Sequence, residues 1–313
     1  MRIVLEGCDC TGKTTFAKVL AEKIKEVYGV REVMLEHEGL PPDLPNLFEY
    51  YAIKALTYDF CIHDRLHLGE RTYGLIYRNN DLLGTVGQHI IDHIIASEGF
   101  GVICTNPFDE VEKRWKKCLD HEYVKDSEAL RCIHAAYDDC ADADGDHWLI
   151  INPFSKYDRG IVFDELKHLK KNNKLIPFVN GIGPNTAETL VVGEMSNHPI
   201  YDLPFFSTTG SSAYLINTLM RLKIGHNYYL TNAYRKDGTP RVMRPIVKEL
   251  KKLKRVLALG QQATKLLRQQ EIPCFSLPHP QFYHRFKHHE MTNYLQLFQR
   301  GMETNDAAQL RLL

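Results

Sequence analysis

The chain has 313 residues, about two domains at roughly 150 residues each, and its 44% hydrophobic and 25% charged content excludes disordered and fibrous classes. No run approaches the roughly 18 uninterrupted apolar residues of a membrane span, and the opening Met1-Arg2-Ile3-Val4-Leu5-Glu6 meets acid too soon for a secretion signal, so the expectation is a cytoplasmic protein without a membrane partner. The formal net charge of zero conceals a split: residues 1–164 hold 18 basic and 29 acidic side chains, a net of −11, and residues 165–313 hold 21 and 10, a net of +11. Such asymmetry points to two domains with different partners, the basic one being the candidate for nucleic acid. Seven of the eight cysteines lie in the first half and none forms a C-x-x-C pair, so buried free thiols are expected rather than a disulfide framework or a metal site.

In chain order, an apolar run at 2–6 leads into a glycine loop and a helical pattern over 13–28, with Phe16, Val19, Leu20 and Ile24 on one face. Strands are predicted at 32–35, 60–63, 101–104 and 148–151, and helices at 83–96, 109–119 and 127–140. Strands alternating with helices imply a parallel sheet covered on both faces. A pair of imidazoles, His89 and His93, flanks Asp92 on the 83–96 helix; a solvated face opposite Val86, Ile90 and Ile94 explains it without a metal. The acidic run 138–146 has D-x-D-x-D spacing but lacks the Glu that closes a calcium loop, and it reads as a solvated turn.

Gly7-Cys8-Asp9-Cys10-Thr11-Gly12-Lys13-Thr14 fits G-x-x-x-x-G-K-[ST], the phosphate loop. In such a loop backbone N–H groups and the following helix N-terminus surround polyphosphate, Lys13 neutralises the β and γ phosphates, and Thr14 offers a hydroxyl to Mg²⁺. ATP and Mg²⁺ are the cofactors expected.

The residues around this loop, Leu5-Glu6-Gly7-Cys8-Asp9, and the later His63-Asp64-Arg65 resemble the thymidylate kinase family, especially its compact versions in viruses of bacteria. The resemblance extends through Leu68-Gly69-Glu70-Arg71-Thr72-Tyr73-Gly74 and covers residues 1–155. It implies that Asp64 and Arg65 help to hold metal and substrate and that Asp9 contacts the acceptor. A nucleoside monophosphate kinase holds two anionic groups together, usually with several lid arginines. Between Cys104 and Tyr137 there are only Arg114 and Arg131, with Lys113, Lys116, Lys117 and Lys125. A neutral hydroxyl acceptor would need fewer arginines and a carboxylate base. Asp9 and Asp64 are both placed for that role, and equally for a structural or metal-holding one.

After residue 152 the stretch around 167–174 is basic and reads as a linker. Strands are then predicted at 190–193, 228–231, 256–259 and 274–276, and helices at 211–222, 244–253 and 262–269. Val192-Gly193-Glu194, Pro204-Phe205-Phe206 with Gly210-Ser211-Ser212, Thr231-Asn232-Ala233, Leu257-Ala258-Leu259-Gly260-Gln261-Gln262-Ala263 and Leu277-Pro278-His279-Pro280-Gln281, in this order, resemble the uracil-DNA glycosylase superfamily. The resemblance implies that Glu194 belongs to the catalytic motif, Phe205 stacks on a flipped pyrimidine, Asn232 reads its edge and His279 faces O2. Arg285 and Lys287, interleaved with Phe282, Tyr283 and Phe286, suit phosphate contact. Two departures matter: Met195-Ser196-Asn197 replaces the family's Pro-Gly turn after Gly-Glu, and Cys274 alone in this half cannot hold an iron–sulfur cluster.

The expected fold class is therefore α/β: a P-loop kinase domain with a parallel sheet (1–160), a linker (161–180) and a smaller αβα unit resembling uracil-DNA glycosylases (181–313). The expected function is an ATP-dependent kinase for a thymine-related pyrimidine. Its acceptor would be the hydroxymethyl group of 5-hydroxymethyluracil in viral DNA, with the second unit binding DNA and presenting the base. One alternative is a thymidylate kinase joined to an active uracil-DNA glycosylase; another is a DNA-binding protein with an ATP-gated switch.

Overall fold

A computed structural model describes residues 1–39, 44, 47–56, 60–118, 123–143, 148–172, 181–196, 204, 207–287 and 290–311, and the chain divides into two units, Met1–Asn173 and Lys174–Leu313. The first unit opens with β1 (Arg2–Glu6), the phosphate loop and α1 (Lys13–Tyr28), followed by β2 (Met34–His37), α2 (Leu47–Leu56) and β3 (Cys61–Asp64). A π-helical turn, Glu70–Gly74, runs into α3 (Leu75–Arg78); then come α4 (Gly84–Glu98), β4 (Gly99–Cys104), α5 (Phe108–Cys118), α6 (Ser127–Ala143), β5 (Trp148–Ile151) and α7 (Lys156–Asn172). The five strands form one parallel sheet in the order β2-β3-β1-β4-β5.

β1 and β4 are buried along their whole length, as strands covered on both faces must be, which is why they are continuous apolar runs rather than alternating ones. α1 packs Phe16, Ala17, Leu20, Ala21 and Ile24 against the sheet. Val19, expected on this face, is 39% exposed, because the 3.6-residue period carries the stripe through the two alanines instead. Val162 and Leu166 of α7 join the same core. Residues 161–172, expected as linker, are thus the second half of a packed helix; the lysines that marked them as solvated occupy its outer face.

Three other expectations change. α6 continues through residue 143, so residues 138–143 of the acidic run are helical and not a turn, while 144–147 lie outside the described residues. Asp92 and His93 are buried, at 5% and 2% exposure, rather than solvated, and Asp92 accepts from Trp148 Nε1 and pairs with His67. All eight thiols are free, but Cys118 and Cys132 are exposed, since both sit on outward faces of amphipathic helices.

The second unit comprises β6 (Thr189–Gly193), α8 (Gly210–Arg221), β7 (Tyr228–Asn232), α9 (Arg244–Glu249), β8 (Arg255–Leu259), α10 (Gln261–Gln269), β9 (Phe275–Leu277), α11 (Pro280–Phe286), α12 (Met291–Glu303) and α13 (Ala307–Leu310). Its sheet is also parallel, in the order β7-β6-β8-β9. α9 ends four residues earlier than its apolar pattern suggests because the chain turns after Glu249 to bury Leu250 and Leu253. No helix among the described residues is long and apolar enough to cross a membrane.

Candidate functional site

Parallel sheets collect functional groups at the carboxyl ends of their strands, and both units do so. At the end of β1, Gly7 has φ +136°, and a Cβ there would lie 2.4 Å from the Cys104 carbonyl of β4. Only glycine lets the loop turn away so closely. The loop closes at Gly12, the N-cap of α1, which has no acidic residue in its first turn. Its first N–H groups and positive dipole end therefore favour an anion.

Lys13 is buried and its Nζ donates to the Cys8 carbonyl at 2.6 Å. Burial, then the nearby Arg65 guanidinium, lowers its pKa, while Asp64 and Asp9 pull it back up. Thr14 Oγ1 donates to Asp64 Oδ2, which also lies 3.1 Å from His37 Nδ1. The other Asp64 oxygen is buried without a hydrogen-bond partner among the described residues. A threonine hydroxyl and a carboxylate with a spare buried oxygen form the all-oxygen donor set that suits Mg²⁺.

Asp9 and Arg65, 2% and 5% exposed, form a buried ion pair that ties the phosphate loop to the residue after β3. Arg65 adopts φ +73°, also donates to Tyr73 Oη at 3.1 Å, and has its Cζ 5.1 Å from the Tyr73 ring centroid. Such backbone strain persists where surrounding bonds over-determine it. Asp9 Oδ2 is buried and has no hydrogen-bond partner among the described residues. Beneath the pair, Glu6 accepts from the Leu66 and Leu68 amides and from Tyr137 Oη; burial raises its pKa, with His67 opposing.

The structure thus brings Asp9, Lys13, Thr14, Asp64 and Arg65 together and adds residues that spacing had not shown. Glu38 donates its backbone N–H to the Asp64 carbonyl, and its carboxylate accepts from Tyr50 Oη and Lys54. Phe154 lies over Gly12, the ring 2.7 Å from a would-be Cβ, and stacks on the Arg114 guanidinium at 4.5 Å. The acid-rich Glu36-His37-Glu38 at a strand end was the available signal for the first; for the second there was none, since Arg114 and Phe154 meet only through the fold. A cavity of about 410 Å³ beside the loop is lined by Thr105, Asn106, His134, Asp138, Asn152 and Asp158, and Asn106 Nδ2 donates to the Thr11 carbonyl.

In the second unit Glu194 follows β6, Asn232 ends β7 opposite Gly193, and His279 follows β9. Glu194 Oε1 accepts from the Gln262 backbone N–H at the start of α10, 3.2 Å away. Gly260, at φ +95°, makes room for it: a Cβ there would be 2.4 Å from Glu194 Oε1 and 3.3 Å from His279 Cβ. His279 Nδ1 accepts from Gln281 N and caps α11; burial lowers its pKa and Glu194 raises it. Asn232 is 3% exposed and its Nδ2 has no hydrogen-bond partner among the described residues. Phe205 lies outside the described residues. Arg285 is exposed on α11 between exposed Phe282 and Phe286, whereas Lys287 is drawn to Glu290 at 2.9 Å.

No family model and no curated protein matches the sequence. Among solved structures, the chain is similar to the YorR protein of Bacillus subtilis in complex with phosphorylated GDP, at 18% identity over 55% of this chain and 99% of that one, with a TM-score of 0.45. It is also similar to deoxyadenosine kinase from M. mycoides with dCMP and dCDP, at 15% identity over 54% and 100% of the two chains, TM-score 0.37. A chain of the Pnkp1/Rnl/Hen1 RNA repair complex matches at 12% identity over 89% of this chain and 96% of its own, TM-score 0.30.

Proposed function

We propose that the chain is a phosphotransferase: its first unit moves the γ-phosphate of ATP, with Mg²⁺, to a thymine-related pyrimidine. The acceptor favoured is the hydroxymethyl group of 5-hydroxymethyluracil in DNA, with the second unit binding DNA and presenting the base. The observation that carries the phosphotransfer reading is the phosphate loop closed against β3, with Lys13 inside it and Thr14 hydrogen-bonded to Asp64. Lys13 neutralises the transferring phosphate, Thr14 and Asp64 are the residues that would hold Mg²⁺, which would supply charge neutralisation there, and Arg65, positioned by Asp9, faces the acceptor. Asp9 Oδ2 is the spare carboxylate oxygen to take the acceptor proton.

Tying the two units gives the kinase a high effective concentration of an acceptor held by the second. Glu194 is held in place by the bond from the α10 N-terminus to its Oε1, and the Met195-Ser196 that follows it in place of a Pro-Gly turn favours presentation over cleavage. Asn232, with its unpartnered buried amide, suits a pyrimidine edge.

The test is transfer of label from γ-labelled ATP with Mg²⁺ to hydroxymethyluracil-containing duplex DNA and, in parallel, to free thymidylate, with Lys13→Ala as the blank. Label on the DNA base is the expected result. Label on thymidylate alone overturns the DNA acceptor, and label on neither overturns the kinase reading.

A further inference from the structure

β3 has a second working face that the kinase reading does not use. Alternation along the strand sends Ile62 into the core beneath α1 and Asp64 to Thr14, so Cys61 and His63 fall on the opposite side. The parallel register then sets Glu36 of β2 beside His63. His63 Nδ1 lies 3.3 Å from Glu36 Oε2 and 4.0 Å from Cys61 Sγ. One ligand atom from each of the three residues lies within 4.8 Å of the others.

Cys61 and His63 are each 1% exposed. Among the described residues buried Glu36 Oε2 makes no hydrogen bond, and its contacts are His63 Nδ1 at 3.3 Å and Lys54 Nζ at 4.0 Å, so a carboxylate oxygen facing Nδ1 is left with capacity that a cation would use. Thiolate, imidazole and carboxylate at this span are the donors of a tetrahedral zinc site, in which metal–ligand bonds of roughly 2.0–2.3 Å hold the ligand atoms within about 4 Å of each other. Mg²⁺ prefers oxygen alone, so the two faces of β3 would sort a hard ion from a softer one.

We propose that Glu36, Cys61 and His63 form a binding site for a zinc-class divalent cation, with the fourth position open to water. Binding replaces the Cys61 thiol proton, which leaves to solvent, with a sulfur–metal bond. Lys54 opposes the ion: its Nζ lies 4.0 Å from Glu36 Oε2, although it is held by Glu38 and sits over the Tyr50 ring at 5.1 Å. An ion there pins edge strand β2 to β3. Since His37 and Glu38 reach Asp64 from the end of β2, occupancy stiffens one wall of the phosphotransfer site.

The test is a Co²⁺ titration of the full chain after chelator treatment. A thiolate-to-cobalt charge-transfer band with four-coordinate d–d bands is expected, bleached by an equivalent amount of Zn²⁺. Cys61→Ala removes the charge-transfer band, and His63→Gln and Glu36→Gln each weaken binding at least about tenfold. Lys54→Met strengthens it about tenfold by removing a nearby positive charge. Zn²⁺ raises the thermal midpoint of the wild type and not of His63→Gln. Absence of the band in the wild type, or its persistence in Cys61→Ala, overturns the proposal. Should the ligand variants fail to fold, Lys54→Met still decides, because unchanged Co²⁺ affinity there puts the ion elsewhere and overturns it too.

Discussion

The two units place their chemistry at the same end of a parallel sheet, yet with opposite electrical character. Around β1 and β3 the charged groups are engaged by the protein itself: Asp9 pairs with Arg65, Asp64 accepts from Thr14 and lies beside His37, and Lys13 donates to the Cys8 carbonyl, with one oxygen of each aspartate left over. Around β6 and β7 the central group is a neutral amide, Asn232, with a donor left over, and the carboxylate, Glu194, is bonded to a helix N-terminus. A buried charge without a partner costs several kcal/mol, whereas an unmade hydrogen bond to a neutral amide costs about 1–3 kcal/mol. On the proposed reading, the first site meets its polyphosphate with most of its charges already engaged, and the second can leave a neutral donor waiting for a base edge.

Removing Lys13 tests the contrast most severely. Lys13→Ala should lower phosphotransfer by about 10³-fold while DNA retention by the full chain at moderate salt stays unchanged; a parallel loss of DNA binding would break the division of labour. Asp9→Asn should cost about 3 kcal/mol in urea-unfolding stability because Arg65 then keeps its buried charge beside a neutral partner. Asn232→Ala should behave in the opposite way, changing stability by less than about 1 kcal/mol but weakening binding to DNA with an exposed thymine-type base by about 1–3 kcal/mol. If the two substitutions cost the same stability, the proposed contrast between paired and waiting sites is wrong.

Glu194→Gln gives a smaller effect, about 1 kcal/mol of stability from the weakened bond to the α10 N-terminus, with label transfer to DNA retained. Uracil release that is abolished by this change would instead make Glu194 a hydrolytic residue. The smallest effect expected is a pH dependence. Burial holds the His279 pKa below its ordinary value, so the unfolded chain binds a proton near pH 6.5 and the folded chain only at lower pH. Stability from this group is thus complete above about pH 6.5 and falls as the pH drops below it. His279→Gln should flatten the thermal midpoint between about pH 8 and about pH 5; identical slopes in both proteins would count against a buried neutral imidazole.

How far each site could be read in advance follows from how local its chemistry is. The phosphate loop is eight consecutive residues, so its motif carries the geometry, and Asp64-Arg65 stands at a strand end where such groups gather. α12 has Tyr294, Phe298 and Gly301 buried at helical spacing, a readable stripe overshadowed by the basic and aromatic residues just before it. α2 was harder, because its apolar residues Leu47, Tyr51, Ala52 and Ala55 are mixed with further half-buried ones and show no clean face. Arg114 with Phe154, and Glu36 with Cys61 and His63, are contacts between distant segments to which no local period points.

Composition, apolar period and one contiguous motif were enough to indicate two α/β units and a phosphate-loop motif on the first, since these depend on residues near one another along the chain. Tertiary packing decided the rest. It drew the lysine-rich stretch 161–172 into the first core through Val162 and Leu166, and it committed Asp9 to Arg65 while bonding Asp64 to Thr14 and setting it beside His37. It also set Glu194, Asn232 and His279 at the carboxyl end of one sheet. Strand order and register bring distant residues within bonding distance, and burial then selects which charges must pair, a choice that no single segment contains.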